Sequence, residues 1–218
     1  MKGILTLIIG LLSVGTMMAQ TTPPVERDLK PIHVEAGIVR LPIGGELPMA
    51  NQKFLDISGD LVTMNQLKGE NGLLVIFSCN TCPFVIAYED RYPELVAHAK
   101  ANGIGIVLVN PNEAKRAGDD SYEEMKRHAE AAGYTSHYVV DTKSKFANAV
   151  GAFTTPHSFL FDKNNKLFYK GGIDDNWKSK DKVSRHWLKD AMTAVKFGKE
   201  LRNPITRSKG CSIKRVFQ

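Results

Sequence analysis

From residue 53 onward the chain alternates short apolar runs with polar breaks that carry glycine. Lys53 to Ile57 and Leu61 to Thr63 flank Ser58-Gly59-Asp60, which predicts a hairpin. Met64 to Leu67 has room for one turn, closed by Gly69 and Gly72. Leu73-Leu-Val-Ile-Phe77 is uninterrupted and apolar, the signature of a strand buried on both faces. From Pro83 the period becomes helical: Val85, Tyr88, Tyr92, Leu95 or Val96, and Ala99 share a face that ends at Asn102-Gly103. Pro93 lies inside that pattern and removes a backbone donor, so a kink or break is expected between Arg91 and Pro93. Ile104 to Val109 is again continuous and apolar, which suits a parallel strand.

The polar stretch Asn110 to Asp120 leads to a helix capped by Asp120 or Ser121, with Glu123 and Glu124 in its first turn and Met125, His128 and Ala132 on one face. His137 to Val140 predicts a short strand, and Asp141 a cap for a helix from Lys143 to Val150. Phe159 to Tyr169 reads as a hairpin turning at Lys163 to Asn165. Thr155-Pro156, at the entry to that hairpin, is a place where a cis peptide is affordable. Gly171 to Asp175 forms a loop, and a helix is expected from Val183 to Phe197 with Val183, Trp187, Ala191, Ala194 and Val195 along its buried stripe. Residues 201–218 have little periodicity and predict a strap carrying Cys211.

Composition changes the picture only at the front. A chain of 218 residues with 43% hydrophobic and 24% charged content suits one globular domain, assigned to 45–200. The net charge of +6 is spread without a basic run, so a nucleic-acid partner is not expected. Met1-Lys2-Gly3, an apolar run from Ile4 to Val14 and a small residue at Ala19 predict a signal peptide over 1–19. The run is short for a bilayer, so no stable membrane span is expected after cleavage. Residues 20–44, with Pro23, Pro24, Pro31 and Pro42, read as an extended lead-in that wraps over the domain or stays partly loose. Export to a periplasmic or secreted location would put the cysteines where disulfides persist.

Those cysteines are Cys79, Cys82 and Cys211. Cys79-Asn-Thr-Cys82 is a CxxC pair that follows a buried strand and precedes a proline able to open a helix. Unsatisfied N–H groups at a helix start favour a thiolate, and two such sulfurs can pair reversibly. Asn80 and Thr81 supply neither charge nor histidine, so the pair does not read as a strong oxidant.

In this order of elements, Leu73 to Pro83, Val109 to Glu113, Asp119 to Met125, Val150 to Pro156 with Phe159 to Asp162, and Gly171 to Asp175 together resemble the thioredoxin superfamily, in its redoxin or peroxiredoxin-like branch related to the alkyl hydroperoxide reductase and thiol-specific antioxidant proteins. Arg207 to Lys214 resembles the ending of exported members of that branch. The resemblance implies an α/β thioredoxin-like fold, a central mixed sheet flanked by helices, with an N-terminal extension and a C-terminal strap. It implies that Cys79 is the exposed attacking sulfur and Cys82 the buried resolving one, with Pro156 cis and facing the pair, and with the Thr155 backbone as the edge on which a substrate docks.

The function implied is an exported thiol–disulfide oxidoreductase without cofactor or metal, acting on protein or small-molecule disulfides and served by a thiol electron donor. The alternative is a thiol peroxidase in which Cys82 or Cys211 condenses with a sulfenic acid. Peroxiredoxins place a threonine three residues before the attacking cysteine; here Ile76 stands at that offset from Cys79, and Cys79 at that offset from Cys82. A third reading is a copper or zinc carrier using Cys79, Cys82 and His157. Thioredoxin's buried acid on the central strand has no counterpart in Leu73 to Phe77, which leaves water or Glu113 to move the proton.

Overall fold

The computed structural model describes residues 33–34 and 38–216. The signal-peptide expectation for 1–19 and most of the lead-in fall outside these residues. The elements are β1 (His33–Val34), β2 (Ile38–Val39), β3 (Phe54–Leu55), β4 (Leu61–Val62), α1 (Met64–Leu67), β5 (Gly72–Phe77), α2 (Pro83–Tyr88), α3 (Tyr92–Ala101), β6 (Ile104–Asn110), α4 (Tyr122–Ala131), β7 (His137–Val140), α5 (Lys145–Val150), β8 (Thr154–Thr155), β9 (His157–Asp162), β10 (Leu167–Gly171), α6 (Trp187–Lys196) and β11 (Cys211–Ser212).

The central sheet is mixed, with helices on both faces. β5 pairs antiparallel with β9, and β9 with β10. On the other side β6 lies beside β5, where Ser78 N donates to Val109 O at 2.8 Å, and β6 pairs parallel with β7. Every residue of β5 is buried, because its side chains alternate between two cores. Leu73, Val75 and Phe77 join Val139, Phe146, Phe159 and Phe161 on one face. Leu74 and Ile76 join Leu95, Leu108, Met125, Leu160 and Leu188 on the other, under α3, α4 and α6. Burying one such side chain contributes about 1.5–3 kcal/mol, so a strand feeding both cores is held in a single register.

The break expected near Pro93 is present. α2 ends at Tyr88, a single 3₁₀ turn covers Glu89–Arg91, and α3 restarts at Tyr92 with Pro93 in its first turn, where a missing N–H costs nothing. The interruption turns Arg91 inward: its guanidinium reaches Asp174 Oδ2 at 2.6 Å and the Asn176 carbonyl at 2.8 Å, and it stacks on Tyr88. Of the two alternatives for the helix stripe, Leu95 is the buried one.

Of the two candidate caps for α4, Ser121 is the one used, accepting the Glu124 N–H. Two local expectations need correction. Asp141 does support α5, but from a distance: Lys143 and Ser144 take left-handed conformations, and the carboxylate accepts the N–H groups of Phe146 and Ala147. The last helix begins at Trp187 rather than Val183: Lys180–Lys182 form a 3₁₀ turn, Val183 is extended, and Asp175 accepts the Ser184 N–H at 2.9 Å. Its buried stripe is Leu188, Ala191 and Met192, one position round from the one expected.

The described part of the lead-in does wrap over the domain. Gly44 and Leu47 donate to the Leu167 and Asn165 carbonyls, each at 2.7 Å, which fixes 44–47 along the β9–β10 hairpin.

Candidate active site

The β5–β9 register sets Phe77 opposite His157, so the loop leaving β5 emerges beside the residues entering β9. The peptide between Thr155 and Pro156 is cis, as the sequence allowed. Cys79 lies in the loop and Cys82 is the residue that caps α2, so the helix starts only after both sulfurs. The expectation that both sit at the first helical turn is thus met only at its edge: Cys82 flanks the turn and Cys79 stands three residues before it in the loop.

The sulfurs are not exposed. Cys79 keeps 2% and Cys82 3% of its accessible surface, which corrects the expectation of an uncovered Cys79. Cys79 Sγ lies 3.1 Å from the Thr155 hydroxyl. While protonated, Cys82 donates to the Thr155 carbonyl, also at 3.1 Å. Its sulfur also stands 2.8 Å from that of Cys211, and all three cysteines are free thiols.

What covers the pair is the C-terminal strap. β11 pairs antiparallel with β8, with Cys211 opposite Thr155 and Ser212 opposite Thr154. The edge expected to receive a partner is thus already occupied by the chain's own residues. A side chain at Gly210 would put its Cβ 2.3 Å from the Thr155 carbonyl oxygen, so only glycine lets the strap approach this closely. Upstream, Thr206 N donates to the Lys170 carbonyl on the β10 edge at 3.1 Å, Lys170 N donates back to the Pro204 carbonyl at 3.0 Å, and the Thr206 hydroxyl accepts the Gly172 N–H at 3.1 Å. Gly171, at φ +150°, leaves the space that Thr206 fills. Downstream, Ile213 is buried in the core beneath β8, Lys214 N donates to Asn112 Oδ1 at 2.9 Å, and Arg215 Nε donates to Asn148 Oδ1 at 2.7 Å.

A buried polar cluster holds the loop from behind. Asp120 accepts the Asn80 N–H at 2.9 Å, Asn110 Nδ2 at 2.8 Å and Asn112 Nδ2 at 3.0 Å. Tyr138 donates to Asn80 Oδ1 and accepts from Asn110. Asn80 is thereby fixed at both its backbone and its side chain. The sequence offered Asp120 as one of two candidate caps and did not show this role; the visible signal is an acid beside a serine already able to cap. Asp120, not Glu113, is also the acid whose charge reaches Cys79. Glu113 instead stands 3.7 Å from the Arg116 guanidinium.

The electrostatics divide the sulfurs. Cys82 is pulled down to about 5, first by the hydrogen bond from Cys79 and then, against burial, by those from Cys211 and from the Val85 and Cys211 N–H groups. Giving that bond to Cys82 drives Cys79 well above the usual thiol range, and burial and the Asp120 charge push the same way. Cys211 is pushed up to about 11, by burial and by its bond to Cys82. The three sulfurs titrate together, with the hydrogen bonds favouring charge on Cys82 over Cys79 and Cys211. The His157 ring is partly buried and packs against Phe159, and desolvation there lowers it to about 3. Among the described residues no three His, Cys, Asp or Glu side chains are grouped so as to hold a metal ion.

Residues 43–185 match the Redoxin family. The chain belongs to the Redoxin family. Membership makes a redox role general to the chain and leaves the particular reaction to the site. The redoxin domain superposes on a hypothetical protein from Sinorhizobium meliloti with a TM-score of 0.74 and 29% identity, over 82% of this chain and 97% of that one. An uncharacterized conserved protein from Geobacillus kaustophilus gives 0.71 and 28%, over 82% and 94%. A peroxidoxin, BcpB, from Mycobacterium tuberculosis gives 0.56 at 13% identity, over 71% and 98%, a likeness of fold. Among curated proteins the sequence finds no match.

Proposed function

We propose that this redoxin is an exported thiol–disulfide oxidoreductase whose working pair is Cys79 and Cys82. The observation that carries the reading is the placement of Cys82 against the Thr155 carbonyl with a cysteine-bearing strand already paired on that edge. The edge demonstrably accepts an extended segment with a sulfur at the position facing Cys82, which is the geometry a substrate disulfide requires. The ionised sulfur attacks the partner disulfide, a mixed disulfide forms, and the second sulfur of the pair resolves it, releasing the reduced partner. The sulfur that faces the strand docked on the Thr155 edge is that of Cys82, 2.8 Å from Cys211 Sγ, and its hydrogen bonds lower its pKa, so we assign the attack to Cys82 and the resolution to Cys79, the reverse of the order implied by resemblance. Export rests on the first 19 residues of the sequence, with their single early lysine and short apolar core.

Insulin reduction under a dithiol donor tests the reading. Cys82→Ser should abolish turnover and Cys79→Ser should trap a mixed disulfide with insulin. Turnover undiminished in both variants, or consumption of hydrogen peroxide in place of insulin reduction, would overturn it.

A further inference from the structure

Cys82 has two sulfur neighbours and can bond only one of them at a time. One is Cys79, three residues before it in the CxxC and, like it, packed against Thr155; the other is Cys211, whose Sγ is 2.8 Å away, within an ångström of bonding distance. The strap that carries Cys211 is a built element, held at the β10 edge through Thr206, at the β8 edge through Cys211 and Ser212, and in the core through Ile213. Its third thiol is therefore presented to Cys82 at high effective concentration whenever the strap is home.

We propose that Cys82 is shared between two alternative disulfides, with Cys79 and with Cys211, and that the second staples residues 210–212 across the Thr154–Pro156 edge and closes the site. The inference rests on the oxidoreductase reading, which supplies the Cys79–Cys82 disulfide as the product of turnover. Cys211, as thiolate, attacks Cys82 Sγ; the bond between 79 and 82 breaks and that between 82 and 211 forms. Cys79 leaves as thiolate and takes up the proton that Cys211 lost. Two thiols' worth of oxidation is carried from one pair to the other, and no further oxidant is consumed. A dithiol donor reopens the site by exchange at Cys82–Cys211, its two thiols becoming a disulfide as both protein sulfurs are reduced.

In the stapled form a partner cannot pair with Thr155, because Cys211 already does. In the fully reduced form the strap is held only by its hydrogen bonds and by Ile213, and a partner strand can displace it. The third cysteine thus makes access depend on whether the protein has been recharged with electrons since its last turnover.

The test is a disulfide map of the full chain. Reduced protein is treated with one equivalent of diamide, quenched in acid, labelled with N-ethylmaleimide and cut with trypsin. Residues 69–91 carry both Cys79 and Cys82, and 210–214 carry Cys211. The expected product is a 69–91 peptide joined to 210–214 with the label on Cys79. A closed 69–91 peptide with the label on Cys211 overturns the inference and leaves the oxidoreductase reading intact; no disulfide at all overturns both. Cys211→Ser should confine the bond to Cys79–Cys82 and raise insulin turnover severalfold at limiting donor, and an unchanged rate overturns closure. Gly210→Val, which lifts the strap without touching a sulfur, should move the label in the same map from Cys79 to Cys211; an unmoved label overturns the role given to the strap.

Discussion

Single residues at this site work mainly through what they accept. Asp120 takes three hydrogen bonds from groups with almost no exposure, two of them from side chains and one from the Asn80 backbone. Asp120→Ala leaves those donors buried and unpaired, at about 1–3 kcal/mol each. We expect a loss of at least ~2 kcal/mol in urea unfolding, together with a changed alkylation rate at Cys79, because the loop carrying it loses its anchor. None of this was legible from spacing. Asp120 sits ten residues beyond Asn110 and forty beyond Asn80, so the cluster exists only once β5 and β6 are side by side. The cysteines themselves were legible, since a CxxC after an apolar strand is a local pattern. Their burial was not, because the residues that cover them come from the far end of the chain.

The elements were read well where the signal is periodic. β5, β6, β7, the β9–β10 hairpin and the Pro93 break all arise from runs or from a missing donor, and each lies where the pattern put it. α6 starts later than expected: Lys180–Lys182 form a 3₁₀ turn and Asp175, eight residues before Val183, accepts the Ser184 N–H, contacts with no periodicity to announce them. The strap was expected as an element, yet its partner was not, since a two-residue pairing leaves no pattern. Its anchor can be tested without the sulfurs. Ile213 is the strap's buried side chain, and Ile213→Ala should cost about 2–5 kcal/mol if the strap and the core unfold together. A smaller loss, with early proteolysis after residue 200, would show that the strap detaches before the domain opens.

At the scale of the whole molecule one buried and one half-buried group set opposing responses to acid. Asp141 is raised to about 6 by burial, so it contributes stability that is complete below about pH 4, its unfolded range, and is lost as pH rises through about 6. His157 is depressed to about 3 by burial, so its contribution is complete above about pH 6.5 and is lost as pH falls toward 3. Between pH 4 and 6 the two slopes oppose each other. Asp141→Asn should leave the acid loss from His157 unopposed and steepen the fall in stability from pH 6 to 4. His157→Phe should do the reverse, and urea midpoints across that range check both. Equal pH slopes in the wild type and both variants would refute the assignment.

Three sulfurs are an odd number, and an odd number cannot be fully paired within one chain. Whenever this protein holds one internal disulfide, one thiol is left over, and the strap decides which. With the strap bonded, the spare is Cys79, sealed under its own chain and unable to meet a second molecule. With the strap free, the spare is Cys211, carried on a displaceable segment. Covalent dimers on a non-reducing gel should accordingly be scarce for the oxidised wild type and accumulate for Gly210→Val, so that a missing methyl group where the strap meets the Thr155 carbonyl guards the protein against cross-linking to itself.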